Sequence, residues 1–152
     1  MPNRPRVLLL TNVPTPNRLP VFEAVAETVD LTVLFCQAAD PARRWHADLQ
    51  SVRVRYEALA ARTLAVGRGV EMAFNPGLGR RLRDEAFDVY LAGENFPNAA
   101  SVLAVWRAAR QHRRPFGLWS EAIDTAFASG QLVSNAYRRW LYRRTDVFIA
   151  YG

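Results

Sequence analysis

The sequence contains no lysine, a single cysteine and only two histidines. The scarcity of cysteine argues against disulfides, and the scarcity of cysteine and histidine argues against metal sites. Cys36 has no partner for an intrachain disulfide, and a lone thiol is typical of the reducing cytoplasm, where we expect this protein. The histidines stand apart, and neither Cys-x-x-Cys nor His-Glu-x-x-His is present, so we expect no metal site. No apolar run approaches the roughly 20 residues that a membrane-spanning helix requires.

Positive charge is what the sequence has in excess. Its 20 basic residues are all arginines, and against 14 acidic residues they give a net charge of +6. Arginine binds phosphate and carboxylate groups through paired hydrogen bonds, so a basic surface favours phosphorylated ligands or acidic lipid head groups. No RNA- or DNA-binding motif accompanies the charge, and we therefore expect no nucleic-acid partner.

Apolar runs alternate with helical patterns along the 152 residues, a length that favours one domain. This alternation is typical of an α/β fold, an open parallel sheet with helices on both faces. The predicted strands cover residues 6–11, 31–36, 51–57, 87–92, 115–119 and 146–151, and the predicted helices cover residues 21–29, 75–85, 96–112 and 133–144. Residues 60–74 are poorly patterned and are predicted to form a loop. The second predicted helix is expected to start at an asparagine followed by a proline, at residues 75 and 76.

Three predicted loops follow strands at the edge where open α/β sheets bind ligands, beyond the carboxyl ends of the strands. The candidate residues in these loops are Asn12, Arg18, Glu94, Asn95, Ser120 and Glu121. The first loop reads TNVPTPNR and has no G-x-G-x-x-G motif, which argues against an ordinary NAD or FAD domain.

Each of these residues also has a structural interpretation. Arg18 either reaches an anionic ligand or lies in solvent, and Glu94 is either a ligand-facing residue or an N-cap of the next helix. The glycine before Glu94 allows a ligand to approach the backbone closely. A carboxylate at Glu121 accepts hydrogen bonds from sugar hydroxyls or acts as a base.

The last predicted helix, residues 133–144, has an apolar face and a basic face. One interpretation is a helix that lies on anionic membrane, at the inner face of the membrane. Its contacts are then Arg138, Arg139, Trp140 and Arg143. The other interpretation is a helix that packs its apolar face on the sheet and leaves its arginines in water.

The chain resembles the N-terminal domain of a GT-B fold glycosyltransferase of family four, the group-one transferases. The segments that carry the resemblance are VLLLTNVPTPNRLPVFEAVAE, FNPGLGRRLRDEAFDVYLAGENFPNAASVLAVWRAARQHRRPFGLWSEA and YRRWLYRRTDVFIAYG, with tryptophan-serine-glutamate after the fifth strand. The resemblance implies that residues 1–152 form a Rossmann-like N-terminal domain, and that a C-terminal domain absent from this chain binds the nucleotide-sugar donor. It implies no cofactor in the chain itself and no essential metal.

The resemblance also implies what the candidate residues do. By this resemblance, the chain binds a sugar acceptor, which is a glycan, a lipid-linked sugar or a small molecule. The residues that would bind it are Asn12, Arg18, Glu94, Asn95, Ser120 and Glu121. Glu121 is the candidate catalytic residue of a retaining hexosyltransferase, and the chain alone is expected to be inactive. Two alternatives remain open: a non-catalytic module that binds anionic membrane or polyanion, and half of a sugar-nucleotide epimerase.

Overall fold

The protein is an α/β fold built on a six-stranded, all-parallel sheet, as the sequence predicts. The computed structural model describes residues 4–39, 49, 52–66, 71–120 and 132–150. The strands are β1 (Arg6–Thr11), β2 (Asp30–Phe35), β3 (Arg55–Ala58), β4 (Arg62–Ala65), β5 (Glu71–Phe74), β6 (Val89–Gly93), β7 (Phe116–Ser120) and β8 (Val147–Ala150). The helices are α1 (Leu19–Ala26), α2 (Leu78–Asp84), α3 (Ala99–Gln111) and α4 (Leu132–Tyr142), with a 3₁₀ turn at Phe96–Asn98.

The central strand, β1, is apolar from Val7 to Leu10 because both of its faces are covered. Leu8 and Leu10 point into a core that α2, α3 and α4 complete, whereas Val7 and Leu9 point into a second core beneath α1. Alternate side chains of a strand point to opposite faces, so a strand buried on both sides reads as a continuous apolar run. The predicted helices on both faces of the sheet are therefore confirmed.

The strand order is β3-β2-β1-β6-β7-β8, which is Rossmann-like. From β1 the chain moves outward to β2 and β3, then returns to the other side of β1 and continues through β6 to β8. The order of the strands thus reverses between β1 and β6. In open parallel sheets such a switch point opens a crevice at the carboxyl ends of the strands, where ligands bind.

The loop predicted for residues 60–74 is wrong. β4 and β5 pair there as an antiparallel hairpin, with Arg62 opposite Phe74 and Ala65 opposite Glu71. Every residue of β4 is exposed, so its side chains show no alternation between apolar and polar. Only backbone pairing defines the hairpin, so the sequence carries no apolar periodicity that would predict it.

The helix start predicted at Asn75 is also wrong, because α2 begins at Leu78. The Asn75 side chain is buried and joins three segments instead of capping a helix. Its amide nitrogen donates to the carbonyls of Cys36 at 2.7 Å and Ala60 at 2.9 Å, and its amide oxygen accepts from the Ser101 hydroxyl at 2.8 Å. These bonds hold the hairpin and α3 against the end of β2.

Candidate functional site

The predicted site residues of the first two loops meet at the switch point between β1 and β6. Asn12 directly follows β1, and Glu94 directly follows Gly93 at the end of β6. The two strands pair from Val7 with Val89 to Leu10 with Ala92, so both loops leave the sheet at the same level. We call the residues gathered here the switch-point site; they are Asn12, Arg18, Gly93, Glu94 and Asn98.

A pair of asparagines lies at the centre of the switch-point site. The Asn98 amide nitrogen donates to the Asn12 Oδ1 atom at 2.9 Å. Asn98 is only 3% exposed, yet its own Oδ1 atom has no hydrogen-bond partner in the part of the chain that the structure describes. A buried carbonyl oxygen without a partner is costly and requires an explanation, and an absent ligand is one of the usual ones.

Sequence reasoning missed Asn98 because it falls inside a segment predicted as helix. In the structure it precedes α3 as its N-cap residue, but its side chain makes no capping bond. The available signal was an asparagine just before an apolar helix, which normally predicts a cap. The side chain turns to Asn12 instead.

Arg18 stands at the start of α1, where its guanidinium approaches the end of β1. Its Nη1 atom donates to the Thr11 hydroxyl at 3.4 Å. The backbone N–H groups at a helix N-terminus carry partial positive charge, and an arginine placed there adds to it. This end of the switch-point site is therefore suited to a negatively charged or strongly hydrogen-bonding ligand.

Glu94 is not an N-cap; it forms a buried ion pair with Arg138 of α4. The Arg138 Nε atom donates to the Glu94 Oε1 atom at 2.9 Å, and the two side chains are 14% and 6% exposed. The backbone N–H of Glu94 donates to the Trp119 carbonyl at 3.0 Å. Glu94 therefore joins β6, β7 and α4, and its charge is compensated within the protein.

Two tyrosines of α4 surround this ion pair. Burial, followed by the nearby Glu94 carboxylate, raises the pKa of Tyr137, and the same two causes raise the pKa of Tyr142. The Tyr137 ring packs edge-on against Phe96 with centroids 5.6 Å apart. Both hydroxyls therefore stay protonated and uncharged at neutral pH.

Ser120 ends β7, at the carboxyl edge of the sheet where the sequence predicts it. It is only 2% exposed, so it lies inside the protein and not on the surface of the crevice. Asn95 begins the 3₁₀ turn, is partly exposed and makes no capping bond through its side chain, which leaves it at the rim. Glu121, the candidate catalytic residue, lies outside the described residues.

Gly93 is not required by the fold. A Cβ atom added there would lie 3.5 Å from the Leu10 carbonyl oxygen and 3.7 Å from Thr11, which are ordinary contact distances. Its φ angle is not positive either, so neither packing nor backbone conformation requires glycine at this position. A glycine at a strand end also lets a ligand approach the backbone closely.

The faces of α4 differ from those predicted. Arg138, predicted as a membrane contact, points inward to Glu94, whereas the apolar Val133 is 74% exposed. Trp140 is partly buried against Trp106, with ring centroids 4.9 Å apart. Arg139 and Arg143 are exposed, as predicted. A helical wheel treats every arginine as solvent-facing, and here the buried Glu94 carboxylate reverses that for Arg138.

Among the described residues, no group of three or more histidine, cysteine, aspartate or glutamate side chains is arranged to hold a metal ion. Of the helices in the described ranges, none combines the length and the apolar character that crossing a membrane demands.

The comparisons with known proteins bear on the fold alone. The sequence matches no protein-family model and no curated protein. Among solved structures, the chain is similar to a protein of unknown function, VPA0982, from Vibrio parahaemolyticus RIMD 2210633. The two are 15% identical and superpose with a TM-score of 0.53 over 100% of this chain and 96% of that one. Similarity at this level supports the α/β fold and says nothing of the ligand.

Proposed function

We propose that the switch-point site binds the sugar acceptor of a glycosyl transfer reaction, and that this chain is the acceptor side of a hexosyltransferase. The observation that carries the proposal is the Asn12–Asn98 pair, with the buried Asn98 Oδ1 atom left without a described partner at the point where parallel sheets bind ligands. A sugar hydroxyl both donates and accepts hydrogen bonds, so it satisfies that oxygen while accepting from a neighbouring donor.

The charges of the switch-point site favour a polar acceptor. The Glu94 carboxylate is already paired with Arg138, so it does not repel the oxygen atoms of a ligand. Arg18 and the N-terminus of α1 provide hydrogen-bond donors on one side, and the two asparagine amides provide both donors and acceptors on the other. Such a set recognises hydroxyl groups, and the charge of Arg18 favours an acceptor that also carries an anionic substituent.

In this proposal the donor is a nucleotide sugar that a second domain holds across the cleft, and Glu121 is the candidate for stabilising or deprotonating the reacting groups. The described residues of this chain do different work: they bind the acceptor and fix its orientation. Positioning of this kind accounts for much of the rate of a group transfer. The chain alone is expected to bind sugar without transferring it.

Saturation-transfer NMR with a panel of monosaccharides, disaccharides and sugar phosphates tests this function. We expect a signal from at least one sugar with the wild-type chain, and loss of most of that signal in Asn12→Ala and Asn98→Ala. Gly93→Ala is expected to retain the fold, because its Cβ fits, and to bind more weakly because the Cβ occupies ligand space. Arg80→Gln, on an exposed arginine of α2, is the matched control.

If no sugar in the panel binds, or if Asn98→Ala and Gly93→Ala bind as well as the wild type, the proposal is wrong. Turnover of a nucleotide sugar by the chain alone would contradict the part of the proposal that assigns the donor to a second domain.

A second candidate function is peripheral contact with an anionic membrane through α4. Arg139 and Arg143 are exposed, and Leu132 and Val133 at the start of the same helix are 81% and 74% exposed. Exposed apolar residues beside arginines are typical of an interfacial helix. Sedimentation with vesicles that contain phosphatidylserine tests it: an Arg139→Gln, Arg143→Gln double variant should bind several-fold less, and unchanged binding would exclude this helix.

A further inference from the structure

A second cleft, of about 570 Å³, lies at the amino ends of β7 and β8, whereas the switch-point site lies at the carboxyl ends of the strands. It is formed by the end of α3, the turn that follows it and the residue before β8. Three arginines line it against one carboxylate, and we call these residues the arginine cleft; they are Arg110, Arg113, Arg114 and Asp146. β7 has five residues, so roughly 15 Å of strand separates this cleft from the switch-point site.

One oxygen of the carboxylate in the arginine cleft is engaged by two donors. The Asp146 Oδ2 atom accepts from Arg110 Nη2 at 2.8 Å and from the backbone N–H of Phe116 at 2.9 Å. The same Arg110 nitrogen donates to the Arg144 carbonyl at 2.9 Å. Asp146 therefore anchors Arg110 to the start of two strands, and the cleft retains an excess of positive charge.

Arg113 has an unusual backbone conformation. Among the described residues it is the one non-glycine position with a positive φ, at 54°. It follows the C-cap of α3: its N–H donates to the Arg110 carbonyl at 3.2 Å, and the N–H of Arg114 donates to the Ala109 carbonyl at 2.9 Å. This is the Schellman arrangement, and glycine is the residue that occupies that position without strain.

An arginine in a glycine position destabilises the fold, and residues kept in such positions point to a role for the side chain. Arg113 is exposed and takes part in no ion pair among the described residues, although Arg110 and Arg114 are both paired. Its guanidinium thus lines the arginine cleft, and no carboxylate in the described ranges compensates it. A guanidinium presents a planar set of donors that matches the oxygens of a phosphate.

We propose that the arginine cleft binds a phosphate group, with Arg113 as the residue that contacts it and Arg110 and Arg114 as its neighbours. The phosphate belongs either to a soluble molecule or to a lipid head group, since both present the same oxygens. This site does not depend on the sugar-binding function, because it lies at the amino ends of the strands and shares no residue with the switch-point site.

The competing explanation is that the arginines only compensate the negative end of the α3 dipole. Two substitutions of one residue separate the explanations. Arg113→Gln removes the charge and keeps the strained backbone, whereas Arg113→Gly removes the charge and relieves the strain. Arg80→Gln, an exposed arginine on α2, is the control for loss of charge.

Phosphate affinity and thermal stability are the two measurements. Titration with inorganic phosphate at constant ionic strength should give binding to the wild type that is at least about threefold weaker in both Arg113 variants and unchanged in Arg80→Gln, because one charge-assisted contact is lost. Without phosphate, Arg113→Gly should melt about 2–4 °C higher than Arg113→Gln. If Arg113→Gly is more stable than Arg113→Gln and yet binds phosphate more weakly than the wild type, the Arg113 side chain serves binding.

Sedimentation with vesicles that contain phosphatidic acid distinguishes the two sources of phosphate. Weaker binding of the Arg113 variants to vesicles assigns the site to a lipid head group, and weaker binding to inorganic phosphate alone assigns it to a soluble molecule. Either result supports the proposal. Wild-type affinity of both Arg113 variants in both assays, or no binding by the wild type in either, would overturn it.

Discussion

At the scale of single residues, two buried asparagines differ in how completely their side chains are hydrogen-bonded. Asn75 makes three hydrogen bonds through its amide group, whereas Asn98 makes one and keeps a buried oxygen without a described partner. The side chain of Asn75 is therefore explained by the fold. The fold does not explain that of Asn98, which is the residue on which the proposed function rests.

We predict that Asn75→Ala and Asn98→Ala differ in stability. Asn75→Ala should lower the free energy of unfolding by about 2–4 kcal/mol, because it leaves several buried groups without partners. Asn98→Ala should change it by less than about 1 kcal/mol, since the lost hydrogen bond is offset by removal of the unpaired oxygen. Urea unfolding of both variants measures this difference, and equal losses would mean that the fold satisfies Asn98 as well.

Cys36 illustrates how burial controls a single titratable group. The thiol is buried, and desolvation raises its pKa from 9.0 to about 12. The neutral thiol is therefore the form that the folded protein retains, and the thiolate that attacks disulfides and alkylating agents is suppressed.

The expected outcome is that Cys36 does not react with a disulfide reagent at pH 8 in the native protein and reacts fully in denaturant. The raised pKa also links stability to pH: its contribution is complete below about pH 9, where the unfolded thiol is still protonated, and is lost as the pH rises toward 12. Between pH 9 and 10, the free energy of unfolding should therefore fall less steeply in Cys36→Ala than in the wild type. Fast labelling of the native thiol would show that this site opens readily.

At the scale of elements, the ion pair between Glu94 and Arg138 attaches α4 to the loop after β6. Because both side chains are nearly buried, removal of one partner leaves a charge in a poorly solvated place. The pair between Arg110 and Asp146 has similar geometry, with side chains 45% and 42% exposed, and provides the matched comparison.

We predict that Arg138→Gln lowers the free energy of unfolding by about 3–5 kcal/mol, and that Arg110→Gln lowers it by at most about 1 kcal/mol. The double variant Glu94→Gln, Arg138→Gln should lose less than the sum of the losses in Glu94→Gln and Arg138→Gln, because neither charge is then left alone. Denaturant unfolding of the wild type, the three single variants and the double variant supplies the numbers. Additive losses would mean that the two side chains do not interact.

Some elements were predictable from the sequence and others were not, for a physical reason. Residues 6–11 and 31–36 are apolar because their strands are buried on both faces, so their pattern is local and visible. β4 is exposed on every residue, and only its pairing with β5 defines it. The position of Glu94 after a strand was likewise predictable, whereas its partner Arg138 follows from how α4 packs, 44 residues further along the chain.

At the scale of the whole molecule, stability resides in two cores that the sheet separates. The larger core, under α2, α3 and α4, includes Leu8 at 0% exposure on the central strand. The hairpin lies outside both cores, and its Leu64 is 62% exposed.

Leu8→Ala should therefore cost about 2–5 kcal/mol of unfolding free energy, because it leaves a cavity among tightly packed neighbours. Leu64→Ala should cost less than about 0.5 kcal/mol, since its side chain is mostly in water already. Thermal and urea unfolding of both variants measure this. A large loss in Leu64→Ala would show that the hairpin packs against something that its exposure does not reveal.

The strand order also determines what happens while the chain is being made. β1 pairs with β6, and the register joins residues 7–10 to residues 89–92. A ribosome adds roughly 5–20 residues per second, so the first strand waits several seconds for its neighbour. During that interval one edge of a strand with four consecutive apolar residues, 7–10, is open to other nascent chains. The sheet can therefore be completed only after β6 has been synthesised, and chaperones that shield the first 40 residues until then should raise the yield of native protein.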